Sequence, residues 1–495
     1  MTIIAAVLMG LAGHCVLRLL VRRPPLRAYG VLATAGLSVL LGAAVIGLLT
    51  TYVAVLGLPI RVWAIVGPIV IALAVLGLLP SRVFAAMHLP PEDSQPAVRR
   101  MWAADGVVGG VIVALGAVLL TGSSKLVVFS NDEWAIWAMR GRTLSLAGHL
   151  DPAVFQGGAA QYQHLDYPLL VPSLIAWADG IAGHPDDSGA HVLLILLTLG
   201  MLAVVGWAAN RLAGPYAGVC SVLLIAGTPR LLAPYGLRVF ADVPLAAFAV
   251  ALLLVLAMWI VHGDSRMLAV AAALAVGTAA VKDEGVVFAL AALLAALVVP
   301  AQVRHARRQV LFAAGTMIAS MLPWLAWTRA HGIESDLING QTLTPHHLRQ
   351  VAGYSGLVVR LIVHYWPGYG WWGIAGGVFA VVLAVTVPRL RRLAAYLCLA
   401  WLIAVVGMWA QYVISAGRYQ SVVPIPVELR GHFGSSATRV LLVPSIVASL
   451  AIPLLAGSLV PRLTRPARHV SQHRQPRTPA TEHPATEHPA TAATE

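Results

Sequence analysis

Apolar runs of about 20 residues, broken by short arginine-bearing turns, recur along the chain as far as residue 460. Crossing a hydrocarbon layer of about 30 Å takes about 20 mostly apolar residues in a helix. By that length the pattern predicts spans at 2–20, 29–53, 60–79, 105–128, 190–210, 216–233, 243–261, 267–281, 286–300, 310–328, 373–388, 393–413 and 440–460. That is about thirteen, with eleven to thirteen as the range, because 267–281 and 286–300 are short. The runs are rich in Leu, Ala and Val and lack the strict alternation of a half-buried strand. The fold class predicted is therefore an all-α polytopic membrane protein.

Three more apolar segments are too short or too interrupted to span. Residues 135–150 carry Arg140, Arg142 and His149, and residues 168–181 carry Pro172 and Asp179. Residues 351–372 hold Arg360 and His364, then Tyr365, Trp366, Tyr369, Trp371 and Trp372. Mixed faces with dense aromatics suit helices lying in the membrane interface, and the last segment reads equally as a plain aromatic belt.

Composition agrees with this picture. Apolar residues make up 59% of 495 positions and charged residues only 11%, where soluble domains carry about a quarter. Most of the chain must then sit in lipid, where only helices or closed barrels satisfy the backbone. Cys15, Cys220 and Cys398 fall singly in apolar runs and read as small buried residues. The first run lacks a basic segment before it, and Arg18, Arg22, Arg23 and Arg27 lie at or beyond its end, so it reads as a span rather than a signal peptide.

The net charge of +13 changes the picture only through its distribution. With the N-terminus outside, the compact clusters Arg22-Arg23-Arg27, Arg99-Arg100, Arg304-Arg307-Arg308 and Arg389-Arg391-Arg392 all fall inside, as the positive-inside rule requires. Most acidic residues then fall outside. The basic charge is topological, and no nucleic-acid partner is expected. Beyond residue 460, Arg, Pro, His and Thr replace the apolar residues and Pro-Ala-Thr-Glu-His occurs at 479–483 and 484–488. Such a segment cannot bury a core. The organisation expected is N-terminal membrane helices over 1–104, a membrane core over 105–460 with a large outer loop at 129–189, and a disordered cytoplasmic tail over 461–495.

The candidate chemistry lies on the predicted outer face. Asp132 and Glu133 stand side by side just past a long apolar run, followed by Trp134 and Trp137. Adjacent carboxylates at a membrane rim are costly unless they face water and act there. The same loop holds His164, Asp166 and Tyr167; later outer segments hold Arg238 and Asp242, then Lys282 and Glu284, then Arg430, His432 and Arg439. A carboxylate base plus cations is what transfer from a phosphate leaving group needs: the base takes the acceptor's proton while the cations neutralise the phosphate. Nucleotide sugars are absent outside a cell, so an activated donor there must be carried by lipid, and a polyprenyl-phosphate sugar fits. Lys282 also reads as a local ion pair with Asp283 or Glu284 capping a helix junction. Residues 435–439 read as a helix start with a hydroxyl cap. No cofactor is called for. A divalent cation is left open, since His164 with Asp166, and His346-His347, bear a loose likeness to metal ligands.

In these residues the chain resembles the GT-C superfamily of integral-membrane glycosyltransferases, near its protein O-mannosyltransferase and aminoarabinose transferase branch. The resemblance rests on Asp132-Glu133, Asp166-Tyr167-Pro168-Leu169-Leu170, Ala241-Asp242-Val243-Pro244-Leu245, Lys282-Asp283-Glu284-Gly285, Leu429-Arg430-Gly431-His432-Phe433 and Thr438-Arg439, and it covers about 105–460. It implies a GT-C-like fold and an inverting transfer from a polyprenyl-phosphate-linked sugar to an envelope glycan, lipid or protein. Under it Asp132 is the base and Glu133 its neighbour, binding acceptor or assisting. Lys282, Arg430 and Arg439 are phosphate ligands with His432 nearby, and Asp166, Tyr167, Arg238, Asp242 and Glu284 bind substrate. The chain lacks the large C-terminal soluble domain of bigger members. The location implied is a bacterial plasma membrane with the active site outward. The rival readings are a lipid or polysaccharide flippase, which needs polar residues at mid-membrane, and a non-catalytic scaffold of envelope assembly.

Overall fold

The computed structural model describes residues 1–21, 25–61, 67, 96–123, 126–128, 132–150, 164–233, 235–299, 306–333, 335, 344–366, 372–388, 390–416 and 424–459. The expected span at 60–79, the basic turn around Arg82, the middle of the large loop (151–163) and the tail at 461–495 lie outside the described residues.

Helices account for nearly all described residues. In chain order they are α1 (Thr2–Val21), α2 (Pro25–Val55), α3 (Pro96–Ser123), α4 (Met139–Ala147), α5 (Leu170–Ala182), α6 (Asp187–Ala213), α7 (Pro215–Ala226), α8 (Asp242–His262) and α9 (Ser265–Val281). They continue as α10 (Asp283–Val298), α11 (Ala306–Ala330), α12 (Pro345–Ala352), α13 (Ser355–Tyr365), α14 (Trp372–Thr386), α15 (Arg391–Ile414), α16 (Ile425–His432), α17 (Thr438–Val440) and α18 (Leu442–Gly457). Seven of them are long and apolar enough to cross a membrane: Thr2–Val21, Gly30–Val55, Ala103–Ser123, Asp187–Ala213, Asp242–His262, Ala306–Ala330 and Arg391–Ile414. The chain is thus a multi-pass helical membrane protein. α7, α9 and α18 are apolar but shorter. Each expected span except 60–79 overlaps a helix, but 216–233 is helical only as far as Ala226 and 105–128 only as far as Ser123.

Met1–Ser458 form one compact unit. Its centre is α8, whose residues from Asp242 to Ile260 are all buried. A helix apolar on every side is satisfied by protein or by lipid, and here α6, α9, α10, α15 and α18 supply protein neighbours. Outer helices instead show large apolar side chains to the surroundings, such as Val113 on α3 and Phe312 on α11, as lipid-facing helices must. α1 and α2 pack closely because Gly42 lies against α1: a Cβ there would stand 1.9 Å from the Met9 carbonyl oxygen.

Two of the three segments read as interfacial have parts packed inside the protein. α5, from 168–181, is buried from Leu170 to Asp179 and packs against α1, α2, α4 and α6, because its apolar residues run all round the helix. In 135–150, Arg140 is only 1% exposed. Burying a guanidinium is tolerable where carbonyls satisfy it, and it donates to the His164, Leu165 and Tyr167 carbonyl oxygens at 3.3, 3.3 and 2.7 Å. α13, in contrast, is two-faced: Val358, Leu361 and Ile362 are buried while Val359, Arg360, Val363 and His364 are exposed.

Candidate functional site: a polar cavity at the helix ends

Helix ends supply the polar groups. Asp132 and Glu133 begin a π-helical turn, Glu133–Ala138, and a second π-helical turn, Phe433–Ala437, follows α16. Such turns break the regular ladder and re-aim side chains, and they recur at functional sites. Asp242 opens α8, Lys282 is the extended residue between α9 and α10, and Gln411, Tyr412 and Ser415 close α15. The Lys282 break is held tight by Gly285, where a Cβ would stand 2.0 Å from the Thr278 carbonyl oxygen.

These ends enclose a cavity of about 110 Å³. Among the residues lining it are Trp137, His164, Tyr167, Asp242, Lys282 and Glu284, and, from the later segments, Tyr412, Glu428, His432, Ser436 and Arg439. The Arg140 fan of hydrogen bonds shapes the 164–167 turn. His164 has a left-handed backbone, φ 60°, uncommon away from glycine, and its ring stacks on Tyr167 with centroids 4.5 Å apart. Trp137 stacks on the same tyrosine at 5.8 Å.

Lys282 Nζ stands 3.3 Å from Asp242 Oδ1 and 3.1 Å from Glu284 Oε1. It also lies 5.6 Å from the Tyr167 ring centroid. All three residues of the ion cluster are buried. Burial alone would lower the lysine's pKa, but Asp242 and then Glu284 override it, and the ammonium is held above its ordinary value. Glu284 Oε2 is buried with no hydrogen-bond partner.

Arg439 lines the cavity and is ion-paired through one guanidinium nitrogen with Asp132. Asp132 itself keeps 29% of its side chain exposed. Glu133, adjacent in sequence, is 1% exposed; its Oε1 accepts from the Val239 amide at 2.9 Å, and its Oε2 faces Arg238 at 4.0 Å. The two carboxylates therefore differ in kind: one is reachable, the other is built into the fold.

Of the sequence-derived site residues, Tyr167, Asp242, Lys282, Glu284, His432 and Arg439 line the cavity, and Asp132 joins it through Arg439. Glu133 and Arg238 form the neighbouring pair. Asp166 is buried, with its backbone oxygen taking a hydrogen bond from Trp324 Nε1 at 2.8 Å. Arg430 is exposed and does not line the cavity. On α16, Glu428 and His432 are four residues apart and share a face, while Arg430 lies near the opposite side. Lys282 does pair locally with Glu284, as one reading had it, but Asp242, 40 residues away in sequence, completes the cluster. Among the described residues no three His, Cys, Asp or Glu side chains come together as metal ligands.

Sequence reasoning passed over Gln411, Tyr412 and Glu428, and read Ser436 only as part of a capped helix start. Tyr412 donates to or accepts from Ser436 Oγ at 2.8 Å and stacks on Phe433 at 4.1 Å. The first two end an apolar run, where polar residues read as a mere span terminus. Set against known protein families, curated proteins and solved structures, the chain matches none of them.

Proposed function

We propose that the chain is a GT-C-like membrane glycosyltransferase that moves a sugar from a polyprenyl-phosphate donor to an envelope acceptor at the end of the bundle where this cavity opens. One observation carries the reading: six stretches distant in sequence, all assigned to the outer side by their charge pattern, converge on a single polar cavity containing carboxylates, cations and stacked aromatics. A flippase would need polar groups at mid-membrane, whereas this set gathers at helix ends. About thirteen spans, an external N-terminus, a cytoplasmic tail and a bacterial plasma membrane complete the proposal.

In this scheme Asp132 removes the proton of the acceptor hydroxyl. The oxygen attacks the anomeric carbon, and the bond from that carbon to the phosphate oxygen breaks, its electron pair leaving with the lipid phosphate. Inversion follows from attack opposite the leaving group. Arg439 offsets the charge that grows on the phosphate. Asp132 is preferred over Glu133 as base because it is partly exposed, whereas Glu133 is committed to the Val239 amide and Arg238.

The test is transfer from radiolabelled polyprenyl-phosphate sugars to envelope fractions, with membranes containing the parent protein or Asp132→Asn. General-base catalysis contributes about 100- to 10,000-fold, so a loss of that order is expected with normal membrane insertion. Parental transfer by Asp132→Asn would remove it as the base. If the parent transfers none of the sugars offered and a deletion strain keeps its envelope glycans, the enzyme reading fails.

A further inference from the structure

Phosphate and sugar place opposite demands on a binding site, and the two cations of the cavity are not equivalent. An ammonium has three donors. Those of Lys282 are taken up by Asp242 Oδ1, Glu284 Oε1 and the face of Tyr167, so one positive charge is already matched by two negative ones. A guanidinium has five donors in a planar fork. That of Arg439 has one nitrogen on Asp132 and lies 5.8 Å from the Phe240 ring centroid, and among the described residues its other nitrogens make no hydrogen bond. The Lys282 cluster thus carries net negative charge and repels a phosphate, while Arg439 can accept one by exchanging it for, or sharing it with, Asp132. Close by, Glu284 is 5% exposed, lines the cavity and keeps a buried oxygen, Oε2, with no hydrogen-bond partner. A buried acceptor of that kind costs about 1–3 kcal/mol unless something donates to it. Hydroxyl groups are donors; a phosphodiester at neutral pH is not.

We infer that the cavity is a two-part site, in which Arg439 binds the anion of the ligand and Glu284 Oε2 accepts a hydrogen bond from a neutral, polyhydroxylated group, with Lys282 holding the Glu284 carboxylate in place and taking no part in phosphate binding. This rests on the glycosyl-phospholipid reading above and orients its donor: phosphate against Arg439, sugar over Glu284 beside Tyr412 and Tyr167. Glu284 is then a sugar-positioning residue, and of the phosphate ligands implied by the family resemblance Arg439 keeps that role while Lys282 loses it.

The purified full chain in lipid nanodiscs would be titrated with undecaprenyl phosphate and with its glucosyl, mannosyl and arabinosyl esters, followed by tryptophan fluorescence, since Trp137 lies in the cavity wall. At least one ester should bind more tightly than the bare lipid phosphate. Arg439→Gln should weaken all of the lipids by about 10- to 100-fold, the scale of one charge-assisted contact. Glu284→Gln, which also removes one of the charges that repel a phosphate, should not weaken bare undecaprenyl phosphate and should abolish the gain from the sugar. Glu284→Asp, which keeps the charge but withdraws the oxygen by one methylene, should also lose that gain, and it guards against misfolding of the neutral variant. If Arg439→Gln instead leaves bare lipid phosphate bound as tightly as by the parent, the anion sits on the Lys282 cluster and the assignment is reversed. If the sugar's gain survives both substitutions at Glu284, or no ester gains over the bare lipid, Glu284 is not a sugar contact. No saturable binding of any lipid phosphate by the parent protein would instead remove the glycosyl-phospholipid reading itself.

Discussion

Single side chains in the cavity differ in what their loss should cost. Lys282→Met keeps the volume but leaves Asp242 and Glu284 facing each other in a buried place, a change that typically costs about 3–5 kcal/mol. The triple variant Lys282→Met, Asp242→Asn, Glu284→Gln removes all three charges and should recover most of that stability, measured as the thermal unfolding midpoint in detergent. Recovery without return of transfer is the expected signature of a cluster that serves the site. Glu133→Ala should also unfold early, by about 1–3 kcal/mol, because it orphans the Val239 amide. Asp132→Asn, being partly exposed, should leave the midpoint within about 1 kcal/mol. Equal midpoints for the Glu133 and Asp132 variants would contradict the division between them. The identities of Asp132, Asp242, Lys282, Glu284 and Arg439 were legible in the sequence because charge is rare in this chain and stands out. Their partners were not. Nothing local in the sequence distinguishes Asp242 from Asp283 as the mate of Lys282, or Glu133 as buried from Asp132 as open, since both outcomes depend on contacts across the bundle.

At the scale of helices, sequence length predicted existence better than placement. Every expected span other than 60–79 overlaps a helix, yet α5 and the start of 135–150 were expected in the membrane interface and lie inside the protein. Hydropathy cannot tell a protein neighbour from a lipid tail, and a buried arginine such as Arg140 is invisible until its three carbonyl partners are known. α13 was legible because its apolar and polar faces separate at helical spacing. The junction of α9 and α10 is the element on which the site depends most. A methyl group at Gly285 would collide with the Thr278 carbonyl, so Gly285→Ala should part the two helices, cost about 1–3 kcal/mol and displace Glu284. Loss of transfer together with a lower unfolding midpoint is expected. An unchanged midpoint would mean that the break relaxes freely.

For the molecule as a whole, the segments meeting at the cavity must share one side of the membrane, whichever side that is. The proposed reading, from the charge pattern, puts that side outside. In a variant with Cys15, Cys220 and Cys398 replaced, a cysteine at the exposed position His184 should react with an impermeant maleimide in intact cells, and one at Thr478 only after lysis. The reverse pattern would turn the cavity toward the cytoplasm and remove the argument for a lipid-borne donor. The short helices flanking Lys282 have a consequence for the surrounding bilayer. α9 and α10 hold 17 and 16 residues, or about 26 and 24 Å at 1.5 Å per residue, against a hydrocarbon layer of about 30 Å. Hydrophobic mismatch of this size is relieved by thinning the lipid beside the short helices. Where such thinning reaches the cavity mouth, a lipid-borne donor would reach Arg439 by sinking with its own leaflet instead of being lifted out of it. Transfer in proteoliposomes should accordingly be faster in dimyristoleoyl than in dierucoyl phosphatidylcholine, so that membrane thickness itself sets the pace of the reaction.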